Sequence, residues 1–170
     1  MCLGRKRGER VAGDGGFEVL QRPHNGRRVP QPALHQRILD GRGGIFGQYA
    51  GLQSRFGEQR VIDTPISEAT IMGAGVGMAL AGLKPVVEMR VVDFALCAMD
   101  EIINQAAKNR YMFGGQGRVP LVARMPIGIW SASAAQHSQS LEAWFAHMPG
   151  LVVVTPATPQ DNYGLLKSSL

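Results

Sequence analysis

Asp63-Thr64-Pro65-Ile66-Ser67-Glu68, followed by Ala69, Gly73, Gly77 and Ala81 at steps of four, decides how this chain is read. Thr64 before Pro65 has the form of an N-cap with proline in the first helical turn, where its missing N–H costs nothing. A helix is therefore predicted over Pro65–Gly82 with one carboxylate, Glu68, at its head. Gly73, Gly75 and Gly77 each cost such a helix about 1 kcal/mol against alanine, so a close packing contact must compensate. Residues four apart share a helix face, and the ridge Ala69, Gly73, Gly77, Ala81 would let another helix approach closely. Glu68 lies at the edge of that contact, and a glutamate pressed into a dry interface can trade protons.

Outward from this helix, short β-branched runs recur at Pro85–Met89, Val119–Arg124 and Leu151–Val154. Between them, Phe94–Asn109 has helical spacing, with Phe94, Cys97, Ala98, Ile102 and Ala106 on one side. A short helical piece at Leu52–Phe56, a turn at Gly57 and helices at Leu141–His147 and Pro159–Leu170 complete the pattern. Strands alternating with helices define an α/β class with a parallel sheet flanked by helices. There is no internal repeat.

The chain has 170 residues, 45% of them apolar, enough for one ordinary core. Residues 1–60 hold 11 Lys/Arg against 5 Asp/Glu, and residues 61–170 hold 7 against 8, so the formal net charge of +5 belongs to the N-terminal segment. A basic tail is not a basic stripe on a folded surface, so no nucleic-acid partner is expected. Two cysteines, Cys2 and Cys97, make neither a disulfide framework nor a zinc site. No apolar run approaches the 18 residues of a membrane span, and no signal-peptide pattern is present, so a cytoplasmic location is expected. Residues 1–42 are rich in Arg, Gly and Pro and keep no apolar period, so they are read as an atypical, disordered or non-native segment ahead of a domain at 43–170.

The spacing of Glu68, Gly73, Ala74, Gly77 and Met78 resembles the pyrimidine-binding signature of thiamine-diphosphate enzymes. With Asp93-Phe94, Ile103–Lys108, Tyr111–Gly115 and Ala135-Gln136-His137-Ser138-Gln139, the stretch from about Gly43 to Leu170 resembles the beta subunit of the first component of 2-oxo acid dehydrogenases, of pyruvate, branched-chain or acetoin type. This resemblance implies an oxidoreductase subunit that takes part in oxidative decarboxylation of a 2-oxo acid with acyl transfer to a lipoyl group. Glu68 would hydrogen-bond the pyrimidine ring nitrogen of thiamine diphosphate and favour the imino tautomer of its exocyclic amine. Phe94 would stack on the aminopyrimidine, and His137 would serve proton transfer or orientation during transfer to the lipoyl group. Arg90 stands in the wall of the cofactor pocket where an apolar residue is usual, and a guanidinium there would need Asp93 or another subunit to pair it. The loop Met125–Trp130 also departs from the family's glycine-richer version.

Without the resemblance, each residue has a plainer reading. A first-turn glutamate suits the helix dipole, Phe94 opens an apolar helix face, and a histidine before a helix is commonly a capping or surface residue. Gly73-Ala74-Gly75-Val76-Gly77-Met78 imitates a dinucleotide fingerprint, yet it lies inside a helix instead of opening one after a strand. Gly13-Asp14-Gly15 imitates the start of a diphosphate-binding motif, but Asn25 comes too soon to complete it.

The implied partners follow. An alpha subunit would hold the diphosphate and its magnesium in an alpha2-beta2 heterotetramer, and a lipoyl-bearing acyltransferase would accept the product. No metal ligand is assigned to this chain. The family's beta subunit has a second, C-terminal transketolase-like domain outside this sequence, so the isolated chain is expected to be inactive. A eukaryotic source would place it in the mitochondrial matrix. The alternatives are an acetoin dehydrogenase beta subunit and an inactive fragment serving only in assembly; transketolase-type enzymes would need the diphosphate motif in the same chain.

Overall fold

A computed structural model of the chain describes residues 47–129 and 132–170, together with the backbone of two strands, β1 (Gly16–Leu20) and β2 (Ala33–Gln36). Both strands fall inside the 1–42 segment expected to be disordered and pair within the sheet, so the expectation fails there; the remainder of that segment, with Gly13-Asp14-Gly15 in it, lies outside the described residues. Onward run α1 (Leu52–Phe56), β3 (Val61–Thr64), α2 (Glu68–Leu80) and β4 (Val86–Glu88). A 3₁₀ segment at Val92–Ala98, a π-helical segment at Asp100–Ala106 and α3 (Ala107–Met112) follow without a break. Then come β5 (Val122–Pro126), a 3₁₀ turn at Ala135–His137, α4 (Glu142–Ala146), β6 (Val152–Val154) and α5 (Pro159–Ser169).

The six strands form one sheet in the order β3-β2-β4-β5-β1-β6. Its first four members are parallel, as the alternation of strands and helices predicts, and β1 runs antiparallel to both β5 and β6. The α/β class therefore holds, with one reversed strand that no periodicity announced.

Two elements depart from the sequence expectation by more than a shift of their ends. Thr64 is not the N-cap of α2 but the last residue of β3, paired in register with Gln36. The physical reason is local: the residue before a proline is pushed out of the helical region into extended conformation, so Thr64 continues the strand and the helix begins only at Glu68. Val61-Ile62 gave a β-branched signal for β3 that the proline-centred reading passed over. The second correction concerns Phe94–Asn109, which is not one α-helix. Its 3₁₀ start turns side chains at three residues per turn and its π stretch at more than four, so the buried set becomes Ala95, Ala98, Ile102, Ala106, Ala107 and Asn109 while Cys97 is exposed and Phe94 half-buried.

The core lies between α2, the 92–106 segment and the sheet: Ile71, Met72, Val76 and Ala79 pack with Val87, Met89, Ile102, Leu121 and Phe145. Gly75 explains how α2 comes so near the sheet. A Cβ there would sit 2.6 Å from Val87 Cγ2 and 3.4 Å from Leu121 Cδ1. The contact that compensates this glycine is thus inside the chain. Gly73 would place a Cβ 3.7 Å from Glu101 Cγ, whereas Gly77 meets nothing within 4 Å. At the C-terminal end, Thr158 and Asp161 form a reciprocal capping box, and proline follows at the first helical position of α5.

Candidate functional site

Glu68 is the first residue of α2 and is half-buried. Four free backbone N–H groups and the positive end of the dipole favour a carboxylate in that place. Ser67 is the N-cap, but its Oγ donates to Thr70 Oγ1 at 2.8 Å and makes no cap to the backbone. From there α2 runs against the 92–98 segment.

That 3₁₀ segment carries Phe94, and the turn at Ala135–His137 packs on the same segment. The rings of Phe94 and His137 lie 5.1 Å apart at 86°. Perpendicular rings cannot cover each other's two faces, so at least one face of Phe94 is left uncovered by His137. Beside Phe94, Asp93 is buried at 6% exposure and accepts a hydrogen bond from Gln139 Nε2 at 2.8 Å. Gly128 N–H donates to the Gln139 carbonyl at 3.0 Å, closing the loop that carries His137. Within it, Ser138 Oγ donates to the Ala134 carbonyl at 2.9 Å. Ala132 and Ala134 have φ of 53° and 68°, conformations that cost a non-glycine residue about 1–3 kcal/mol and cluster where function demands a fixed loop.

The structure thus brings together Phe94 and His137 from opposite ends of the sequence reading, and it sets the helix headed by Glu68 against the segment that holds Phe94. Arg90 is exposed in the bend after β4. On the ridge, Ala69 and Gly73 are half-buried, and Gly77 and Ala81 are exposed.

One polar cluster was missed. Glu88, 6% exposed at the end of β4, faces Arg124 of β5 directly across the parallel pair, with Arg124 Nη1 3.4 Å from Glu88 Oε2. The Tyr49 hydroxyl donates to Glu88 Oε2 and accepts from Arg124 Nη1, and the guanidinium carbon lies 5.6 Å from the Tyr49 ring centroid. Gln48 Nε2 adds a bond to Glu88 Oε1 at 3.3 Å. A charge buried this deeply requires a partner and further hydrogen bonds, and this cluster supplies both while binding the 47–56 stretch to the sheet. The only sequence signal was a lone acid inside an apolar strand, Val86-Val87-Glu88-Met89, whose partners stand 36 and 39 residues away.

A mainly parallel α/β sheet, a glycine-bearing helix headed by a carboxylate and an aromatic–histidine pair formed between the adjoining 92–98 segment and the 135–137 turn define an α/β domain with one candidate site. The chain belongs to the transketolase pyrimidine-binding domain family, whose model matches residues 37–170. It is 46% identical over 129 residues to a 2-oxoisovalerate dehydrogenase subunit beta of Bacillus subtilis, covering 76% of this chain and 39% of that protein. Against a pyruvate dehydrogenase E1 component subunit beta of Rhizobium meliloti the identity is 50% over 127 residues, 75% of this chain and 28% of the relative. An acetoin:2,6-dichlorophenolindophenol oxidoreductase subunit beta of Cupriavidus necator is 47% identical over 127 residues, 75% of this chain and 37% of its own length. The chain thus spans well under half the length of these relatives, and the similarity read from the motifs holds. Among the described residues no helix is long and apolar enough to cross a membrane.

Proposed function

We propose that this chain supplies the pyrimidine side of a thiamine-diphosphate site in the beta subunit of a 2-oxo acid dehydrogenase first component, with pyruvate as the substrate to test first. The observation that carries the reading is the convergence on Val92–Ala98: α2, headed by Glu68, and the His137 turn both pack on the segment that holds Phe94. This donor set fits an aminopyrimidine. A carboxyl can share a proton with a ring nitrogen, and an aromatic ring can stack on a flat heterocycle.

When bound, thiamine diphosphate supplies an electron sink for loss of carbon dioxide from a 2-oxo acid. Glu68 would hold a proton at the pyrimidine ring nitrogen, its position at the helix head fixing the carboxyl relative to the ring. Phe94 would set the plane of the ring. His137, held against Phe94, would orient or move a proton during acyl transfer to a lipoyl group. Arg90, exposed here, would meet the cofactor pocket or a partner subunit only in the assembled enzyme. The ridge Ala69, Gly73, Gly77, Ala81 would serve as the face on which a helix of a neighbouring subunit packs, since Gly77 and Ala81 are exposed. An alpha subunit would hold the diphosphate and magnesium.

Identities of 46–50% spread over branched-chain, pyruvate and acetoin names, so an acetoin dehydrogenase beta subunit is the second reading. Calorimetric titration of thiamine diphosphate with magnesium, into the chain alone and mixed with an alpha subunit from the same genome, tests the proposal. Saturable binding in the mixture only, lost in Glu68→Ala, is expected. Equal binding by wild type and Glu68→Ala would refute the role of Glu68, and no binding in the mixture would leave an assembly fragment. Turnover of pyruvate against acetoin by the mixture separates the two substrates.

A further inference from the structure

The ring pair Phe94–His137 joins two segments that share no secondary structure. Phe94 sits in a 3₁₀ stretch, and His137 ends a three-residue turn in which His137 N–H donates to the Ala134 carbonyl at 3.2 Å. Such a turn cannot hold an imidazole at a fixed angle unaided, and the left-handed backbone of Ala134 works against it. Something outside the turn must hold the loop in place. Two residues beyond His137, Gln139 meets that need twice. Its side-chain amide donates to Asp93, the buried neighbour of Phe94, at 2.8 Å, and its carbonyl accepts from Gly128 N–H at 3.0 Å across the base of the loop.

We propose that Gln139, acting through Asp93, is the positioning residue that holds His137 against Phe94. The two bonds of Gln139 fix the loop to the segment bearing Phe94 at a point one residue from one ring and two from the other. A hydrogen bond to a buried carboxylate is short and directional, so it sets the register of the two segments where apolar packing would allow sliding. The inference rests on the proposed role of His137 for its catalytic meaning, and on the geometry alone for its structural content.

The test uses the 170-residue chain labelled in histidine. His137 is assigned by a His137→Gln variant, and the displacement of its ring resonances caused by Phe94 is defined by Phe94→Leu. Gln139→Met keeps the side-chain volume without the donor, and Gln139→Glu sets two carboxylates against each other. Asp93→Asn/Gln139→Glu exchanges donor and acceptor. Both single variants are expected to lose roughly half or more of the Phe94-dependent displacement at unchanged far-UV circular dichroism, and the exchange to restore it. Retention of the displacement in both single variants, or failure of the exchange to restore it, would overturn the proposal. Should Gln139→Met fail to fold, comparison of Gln139→Glu with the exchanged pair decides. None of these readings involves a cofactor, so a failed calorimetric titration leaves the positioning intact and removes only its catalytic meaning. In an assembled active enzyme, Gln139→Met is expected to lower kcat roughly ten- to hundredfold with a smaller change in KM.

Discussion

Gly75 and Gly77 sit two residues apart in α2, and only the second is expected to gain stability on replacement by alanine. In the interior of a helix, glycine to alanine gains about 1 kcal/mol when the new methyl has room. At Gly77 nothing lies within 4 Å of the added Cβ, so Gly77→Ala should stabilise the chain by about that amount. For a chain of this length, 1 kcal/mol corresponds to roughly 2–4 °C in Tm. At Gly75 the same methyl would fall 2.6 Å from Val87 Cγ2 and 3.4 Å from Leu121 Cδ1, both on buried side chains, Val87 in β4 and Leu121 just ahead of β5. Overpacking of that kind costs about 1–3 kcal/mol, which cancels the propensity gain or exceeds it by up to about 2 kcal/mol. The two variants should therefore differ by about 1–3 kcal/mol in urea unfolding, with Gly77→Ala the more stable. Val87→Ala removes the colliding methyl, so Gly75→Ala/Val87→Ala should be more stable than the two single effects add to, by roughly 1 kcal/mol. Equal stabilisation by both glycine variants, or strict additivity with Val87→Ala, would refute the claim that close approach of helix to sheet is what requires Gly75. A stabilising Gly77→Ala that nevertheless weakens association with an alpha subunit would support the proposed ridge.

Three further outcomes can be checked. Arg124→Met removes the guanidinium that faces buried Glu88 and should cost about 3–5 kcal/mol in urea unfolding, largely recovered in Arg124→Met/Glu88→Leu; a loss below about 1 kcal/mol would show the ion pair to be dispensable. Asp100 accepts from Asn104 at 2.7 Å and from Gln105 at 3.2 Å, and these bonds, aided by the charge of Lys108, hold its carboxyl below the ordinary value. A depressed carboxylate stabilises above its unfolded pKa and loses that contribution as pH falls through the folded value, so Asp100→Asn should flatten the stability profile at and below about pH 4 and unchanged acid sensitivity would contradict it. Thr158→Ala removes half of the capping box of α5 and should cost about 1 kcal/mol, seen as faster amide exchange over 159–163; unaltered exchange would mean that the cap is not limiting.

What the sequence determined were the features set by neighbours along the chain. Leu52–Phe56 is helical where the text predicts, Val86–Glu88, Val122–Pro126 and Val152–Val154 fall in or beside the β-branched runs, and Pro159 opens a capped helix. The motifs from Glu68 to Gln139 were sufficient for the family. Even the misplaced start of α2 had a local cause, since Pro65 acts backward on Thr64 as well as forward on the helix. Tertiary structure alone decided the reversed strand β1, the 3₁₀ and π winding of 92–106, the burial of Glu88 under Tyr49 and Arg124, and the fixing of His137 by Asp93 and Gln139. The two polar clusters depend on groups far apart in the chain, Asp93 and Gln139 at an offset of 46 residues and Tyr49 and Arg124 at one of 75. A periodic pattern reports which face of an element is apolar; it carries no information on which distant polar group will complete a buried charge, because that choice is made only when the elements pack.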